Sequence, residues 1–191
     1  MNKTTIQSTP YGPVVIIWRM VGRVARIVRV LLSNSAASAT ERVSETYPDA
    51  HESSGEAIAS VASGIRGLLE GEPIDLSLEV ADLAQCREFQ RRVLQAEHAI
   101  PRGGVSTYKL IALHLGVPGG ARAVGHALAN NPFPLIVPCH RAIRSDHGLG
   151  GYQGGVDMKR SLLSQEGIVL DDSGRVRCAR FHYEMAEGSA K

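Results

Sequence analysis

The chain has 191 residues, 43% of them apolar, 21% charged and 5% aromatic, and a formal net charge of +2. That length supports a hydrophobic core for one large domain or two small ones. The composition excludes collagen-like repeats, charge-rich disorder and a disulfide-dense miniprotein. Three cysteines, Cys86, Cys139 and Cys178, share no CxxC spacing, so no metal site or redox pair is expected, and free thiols in a reducing compartment are. The longest apolar run near the start, Val14–Trp18, is too short for a membrane span or a signal-peptide core, which predicts a soluble, intracellular protein.

Charge is unevenly distributed. Residues 1–86 carry 7 basic and 10 acidic side chains, residues 87–170 carry 10 and 5, and the remainder 4 and 4. A polyanion would dock on the middle segment, although an excess of this size is also common on proteins that bind none.

In chain order, Pro13–Trp18 reads as a buried strand and Ala25–Leu32 as its hairpin partner; arginines 23, 26 and 29 leave a helix open for the latter. Residues Ser33–Ser54 read largely as a loop. Glu56–Leu69 places Ile58, Val61, Ile65 and Leu68 on one face of a helix closed by Gly71 and Pro73. Ile74–Val80 alternates apolar and polar residues, the pattern of a half-buried strand. These elements make a small α+β unit. Arg87–Ala96 is helical in pattern. Ser106 is positioned to cap a helix to Leu115, Gly116–Gly119 stops it, and a second helix runs from Gly120 to Ala129. The outline fits a helix-turn-helix or an ordinary αα-corner.

Beyond that pair, Asn131-Pro132-Phe133-Pro134 ends the helix and Leu135-Ile136-Val137 reads as a short buried strand. Pro138 stops any ladder, so Cys139 is expected on a turn. His140 and Arg141 beside it would favour thiolate over thiol, with Cys139 and His140 coupled through the turn or a bridging water. A buried structural cysteine is the competing reading. Gly148–Gly155 holds five glycines in eight residues but matches neither GxGxxG nor a Walker loop. It suits close approach to a ligand, or a flexible hairpin. Asp157–Glu166 is a helix capped by Gly167, and a glutamate at its C-terminus opposes the macrodipole, which suggests a partner for Glu166 elsewhere.

Together, Ile136-Val137-Pro138-Cys139-His140-Arg141, Gly148–Gly155 and Glu166-Gly167 resemble the O6-alkylguanine-DNA alkyltransferases, also called methylated-DNA–protein-cysteine methyltransferases. Pro101-Arg102-Gly103, Tyr108, Ala121-Arg122-Ala123-Val124-Gly125 and Asn131-Pro132 match in order and spacing. The resemblance is close over about residues 87–168. It implies an α+β fold: a small N-terminal sheet-plus-helix domain (1–83), then a mostly helical, winged-helix-like helix-turn-helix domain carrying the active site (84–170), and a C-terminal tail (171–191).

The implied function is DNA repair by irreversible, single-turnover alkyl transfer from O6-alkylguanine to Cys139, with no cofactor. In the implied roles His140 is the base acting through a water, Glu166 orients it, Tyr108 donates a proton towards guanine N3 and Asn131 braces the turn. The DNA-contacting set is Arg122, Ala121, Gly120, Ser106, Thr107 and Arg141, with Arg122 filling the stack when the base flips. Tyr152, Gln153, Gly154, Val137 and Pro134 are implied around the pocket. The implied partner is double-stranded DNA containing O6-alkylguanine, with no membrane, for a monomeric cytoplasmic protein (nuclear in a eukaryote). The second helix offers few base-reading side chains beyond Arg122 and His126, which points to sequence-independent, minor-groove binding. One departure stands out: Gln153 occupies a position that is often Ser or Ala in the family.

Overall fold

The computed structural model describes residues 1–178 and 180–184. Its N-terminal part is a four-stranded sheet built on the expected hairpin. Strand β1 (Asn2–Ile6) precedes β2 (Val14–Val21) and β3 (Val24–Leu32), and the spatial order is β3-β2-β1-β4, with β4 covering His51–Glu52. Gly22, at φ +61°, occupies the first central position of the two-residue turn between β2 and β3, where a tight hairpin demands glycine. Ala25–Leu32 is therefore strand, not helix. The unbroken apolar run of β2 has a simple cause. Val14, Ile16 and Trp18 face the main core, while Val15 and Ile17 face a second cluster with Ala39 and Val43. A sheet covered on both faces needs no polar alternation. Strand β1 was not apparent in the sequence, because Asn2-Lys3-Thr4-Thr5 lacks apolar periodicity; its pairing with β2 holds it.

Two expectations are corrected in this part. The stretch read as a loop contains helix α1 (Ala39–Thr46), which carries a complete capping box: Ser38 accepts from the Glu41 amide and Glu41 accepts from the Ser38 amide. Such caps contribute about 1 kcal/mol. Ile74–Val80 forms no strand; it runs extended into a 3-10 turn at Leu78–Val80. Its alternation arises from packing on helix α2 (Glu56–Leu69). A Cβ on Gly64 would lie 2.7 Å from Leu76, and one on Gly67 would lie 2.5 Å from Ile74, so the two glycines open a groove for these side chains. Period-two burial arises on a helix groove as readily as in a sheet.

Helices α3 (Glu88–His98), α4 (Tyr108–His114) and α5 (Ala121–Ala129) then pack together. Helix α4 ends in a Schellman motif, Val117 N–H to Ala112 O and Gly116 N–H to Leu113 O, with Gly116 at φ +72°. This turn sets α5 across α4. Thr107, not Ser106, caps α4 by accepting from the Leu110 amide. Strand β5 (Ser106–Thr107) pairs in parallel with β6 (Ala142–Ile143), which brings the start of α4 beside the residues that precede β6. Helix α6 (Val156–Gln165) follows, then a hairpin of β7 (Val169–Leu170) and β8 (Val176–Arg177). The expected tail is packed in part: Val176 and Phe181 join Val105, Ile143 and Leu163 in a third cluster. Residue 179 and residues 185–191 of that tail lie outside the described residues. The main apolar cluster crosses position 83, with Ile16 and Ile65 in the same cluster as Val124 and Leu162. No helix among the described residues is long and apolar enough to cross a membrane.

Candidate active site

The segment before Cys139 is a turn, not the expected strand. Leu135 has φ +74°, and the only ladder contact is an isolated bridge between Pro134 and Val137. Prolines 132, 134 and 138 supply no N–H, so a strand could not be hydrogen-bonded here. Asn131 takes the place of a pairing strand. Fully buried, it accepts from the Phe133 amide (2.9 Å) and donates from Nδ2 to Val137 O (3.3 Å) and to Cys139 Sγ (3.4 Å).

Cys139 opens a 3-10 turn, Cys139–Arg141, and is 6% exposed. Burial pushes its thiol up to about 11, only partly offset by the Asn131 hydrogen bond. At neutral pH about one molecule in ten thousand would carry the thiolate. The expected help from Arg141 is absent for a geometric reason. Its Nε and guanidinium nitrogen donate to Glu166 (2.9 and 2.8 Å), and its other nitrogen donates to Ile100 O (2.6 Å). At 4% exposure it is also unavailable to DNA, so its expected place on a DNA-contacting surface is corrected.

Glu166 has the partner that its position at a helix end suggested. It is the C-cap residue of α6, fixed by Gly167 at φ +83°, and its carboxylate accepts from His140 Nε2 at 2.9 Å. Burial opposes ionisation, yet hydrogen bonds from His140 and Arg141 draw the carboxyl down to about 2. Burial lowers the His140 pKa despite Glu166, so the imidazole is neutral near pH 7. With Nε2–H donating, Nδ1 keeps its lone pair, and it makes no hydrogen bond among the described residues. His140 is thus neutral and held in orientation, while Glu166 and Arg141 form the ion pair.

A cavity of about 280 Å³ opens on Cys139. Tyr108 lines it from the start of α4, and Gly151, Tyr152 and Gln153 line it from the glycine-rich loop. Gly125, Leu128 and Ala129 form the wall from α5. Their i, i+3, i+4 spacing is the sequence signal that places them on one face of α5. Three expected pocket residues do not line the cavity. Val137 and Pro134 are buried in the turn, and Gly154 is packed on Met158, whose Sδ leaves no room for a Cβ there. Burial pushes the Tyr108 phenol up to about 12, so it stays protonated near pH 7.

Two buried ionisable groups were not anticipated. Lys159 is fully buried and donates to Ala142 O at 2.6 Å; Glu97 is fully buried with neither carboxyl oxygen hydrogen-bonded among the described residues. Burial raises Glu97 to about 8 and lowers Lys159 to about 8. At the start of α5, Arg122 is exposed and Gly120 and Ala121 are half-buried. Ser106 is fully buried and donates to His182 O (2.7 Å), which corrects its expected DNA contact; the Thr107 hydroxyl is occupied in capping α4.

Residues 88–168 match the family model described as 6-O-methylguanine DNA methyltransferase, DNA binding domain. The chain is 48% identical over 115 residues to the methylated-DNA–protein-cysteine methyltransferase of Methanothermobacter thermautotrophicus, covering 60% of this chain and 64% of that protein. With the Pyrobaculum aerophilum protein of the same name it is 47% identical over 94 residues, 49% of this chain and 62% of that one. The chain thus spans just under two thirds of the length of these relatives. The crystal structure of Mycobacterium tuberculosis OGT in complex with DNA is similar with a TM-score of 0.68 and 32% identity, over 87% of this chain and 92% of that one. A match of that identity along nearly the whole of a solved relative, together with the family model over the segment that carries Cys139, His140 and Glu166, establishes that the chain belongs to the 6-O-methylguanine DNA methyltransferase family.

Proposed function

We propose that this protein repairs DNA by transferring the alkyl group of O6-alkylguanine to Cys139, one lesion per molecule. The observation that carries the reading is a cysteine opening on a cavity, with a neutral, carboxylate-oriented histidine as its sequence neighbour and a protonated tyrosine on the cavity wall. In the step, Cys139 sulfur forms a bond to the alkyl carbon as the carbon–O6 bond breaks, and the electron pair leaves into the guanine ring. The thiol proton passes to His140 Nδ1 through a water while Tyr108 gives its proton to N3 of the departing guanine anion, and return of the His140 proton to Tyr108 through solvent closes the balance; the net result is a thioether and neutral guanine. Because burial holds the resting thiol protonated, its proton must leave in the course of the transfer. That arrangement suits a nucleophile that must not react with other electrophiles. A thioether carries no good leaving group under these conditions, so the product is final.

Duplex DNA is the proposed partner, bound by a monomer through its minor groove without sequence preference. Support comes from the first turn of α5, where Gly120, Ala121 and Ala123 leave only Arg122 long enough to reach between bases. The test is a titration with O6-methylguanine duplex. Repair should stop at one equivalent and not resume when fresh DNA is added, while Cys139→Ser binds the duplex without repair. Sustained turnover would sink the proposal.

A further inference from the structure

The cavity at Cys139 lies between the end of α5 and the loop Gly151–Gln153. A side chain that the transfer chemistry does not use joins these two walls. Gln153 donates from Nε2 to Asn131 O at 2.7 Å and to Ala129 O at 3.3 Å, so its carboxamide reaches from the loop to the carbonyls left unpaired at the end of α5. Its own backbone carbonyl accepts from Asn34 Nδ2 at 3.0 Å. Asn34 follows β3 in the N-terminal sheet unit and is itself held, its Oδ1 accepting from the Ala36 and Ala37 amides (2.9 and 3.2 Å). At the other end Asn131 donates to Cys139 Sγ. A continuous series of hydrogen bonds and backbone therefore connects the N-terminal unit, the pocket loop, the end of α5 and the acceptor sulfur.

We infer that Gln153 is a specificity-determining strut: it fixes the width of the alkyl pocket, and Asn34 positions it, so that small O6-alkyl groups are accepted and large aryl-methyl groups are held out. The inference rests on the proposed alkyl transfer and adds to it the class of substrate. Length is the reason the residue matters. A serine or alanine at this position would carry no donor long enough to span to the Ala129 and Asn131 carbonyls, and both hydrogen bonds across the cavity would be lost. Glutamine supplies both the reach and the two N–H donors that carbonyl acceptors require. The anchoring at Asn34 gives the N-terminal unit a part in substrate choice from outside the cavity.

The experiment compares single-turnover transfer from free O6-methylguanine and O6-benzylguanine, which need no base flipping, across base concentration. Gln153→Ala should raise the benzyl-to-methyl ratio by about tenfold, the loss of roughly one net hydrogen bond. The gain should fall in the concentration that gives half-maximal benzyl transfer. Gln153→Glu keeps the length but loses both donors and should behave like Gln153→Ala. Asn34→Ala, outside the cavity, should shift the ratio in the same direction by a smaller factor. Hydrogen exchange of the 151–154 amides supplies a readout independent of activity, and it should quicken in all three variants. An unchanged ratio in Gln153→Ala, a wild-type ratio in Gln153→Glu, or unchanged exchange would overturn the strut. Failure of the wild-type protein to take up the methyl group from an O6-methylguanine duplex would instead overturn the proposed function, and the exchange result would still decide whether the strut exists.

Discussion

Glu166→Gln is the substitution whose cost follows most directly from the geometry. The Glu166 side chain is 2% exposed, and it receives one hydrogen bond from His140 and a two-pronged set from Arg141, itself 5% exposed. Glutamine keeps the shape but removes the charge, leaving the guanidinium buried without a counter-ion. Removing one partner of a buried ion pair costs about 3–5 kcal/mol, a large share of a total of about 5–15 kcal/mol. For a chain of this size the melting temperature should fall on the order of 10 °C. The pH dependence has a definite sign. Glu166 is held at about 2 against an ordinary 4.5, so its contribution is complete above pH 4.5 and is lost as pH falls towards 2. Urea unfolding at a series of pH values should therefore show the wild-type advantage at full size near pH 7, closing below pH 4.5. Transfer should slow as His140 loses its orientation, with duplex affinity nearly intact. A stability difference under about 1 kcal/mol at pH 7, or one that stays constant through the acid range, would refute the assignment of Glu166 as the counter-ion that holds this site.

Four further outcomes are expected. Alkylation of Cys139 by iodoacetamide should keep rising with pH past 9, because burial holds the thiol near 11; a plateau close to pH 8 would mean an activated resting thiolate. Asn131→Ala removes three hydrogen bonds, should cost about 1–3 kcal/mol in urea unfolding, and should move that alkylation profile to still higher pH. Glu97 is held near 8 against an ordinary 4.5, so the wild type loses stability as pH rises from 4.5 to 8; Glu97→Gln should gain relative stability over that window, by about 1 kcal/mol or more at pH 8, whereas a loss would mean that Glu97 and Lys159 are ionised together. Arg122→Ala should slow repair of duplex DNA far more than reaction with the free base at any salt concentration; a deficit that shrinks at low salt would indicate a phosphate contact instead.

Where local chemistry decides the structure, the sequence was readable. Helix α2 runs from Glu56 to Leu69 as its apolar face and its Gly71–Pro73 stop require, and the β2–β3 hairpin sits where its apolar runs place it. The glutamate at the end of α6 was informative because it opposed the helix dipole, and its partner proved to be His140. Helix α1 has a local signal of its own, since Ser38-Ala39-Thr40-Glu41 carries the S-x-x-E capping pattern. Other features lay outside any local signal. Ile74–Val80 alternates because it lies on the glycines of α2, a contact no periodicity distinguishes from a sheet. The Leu135–Val137 turn depends on a buried Asn131 side chain replacing a neighbouring strand. Arg141 was misassigned because adjacency to Cys139 in sequence says nothing of direction, and the guanidinium turns away to Glu166. The contact of Gln153 with Asn34, more than a hundred residues away in the chain, likewise has no local signal.

The central claim is that the alkyl group ends on one sulfur and stays there. Intact-mass measurement after incubation with excess O6-methylguanine duplex, followed by peptide mapping, tests it most directly. The account predicts a gain of one methylene per molecule, complete and persistent, on Cys139 alone. An unmodified protein beside repaired DNA, or a methyl group on Cys86 or Cys178, would contradict it.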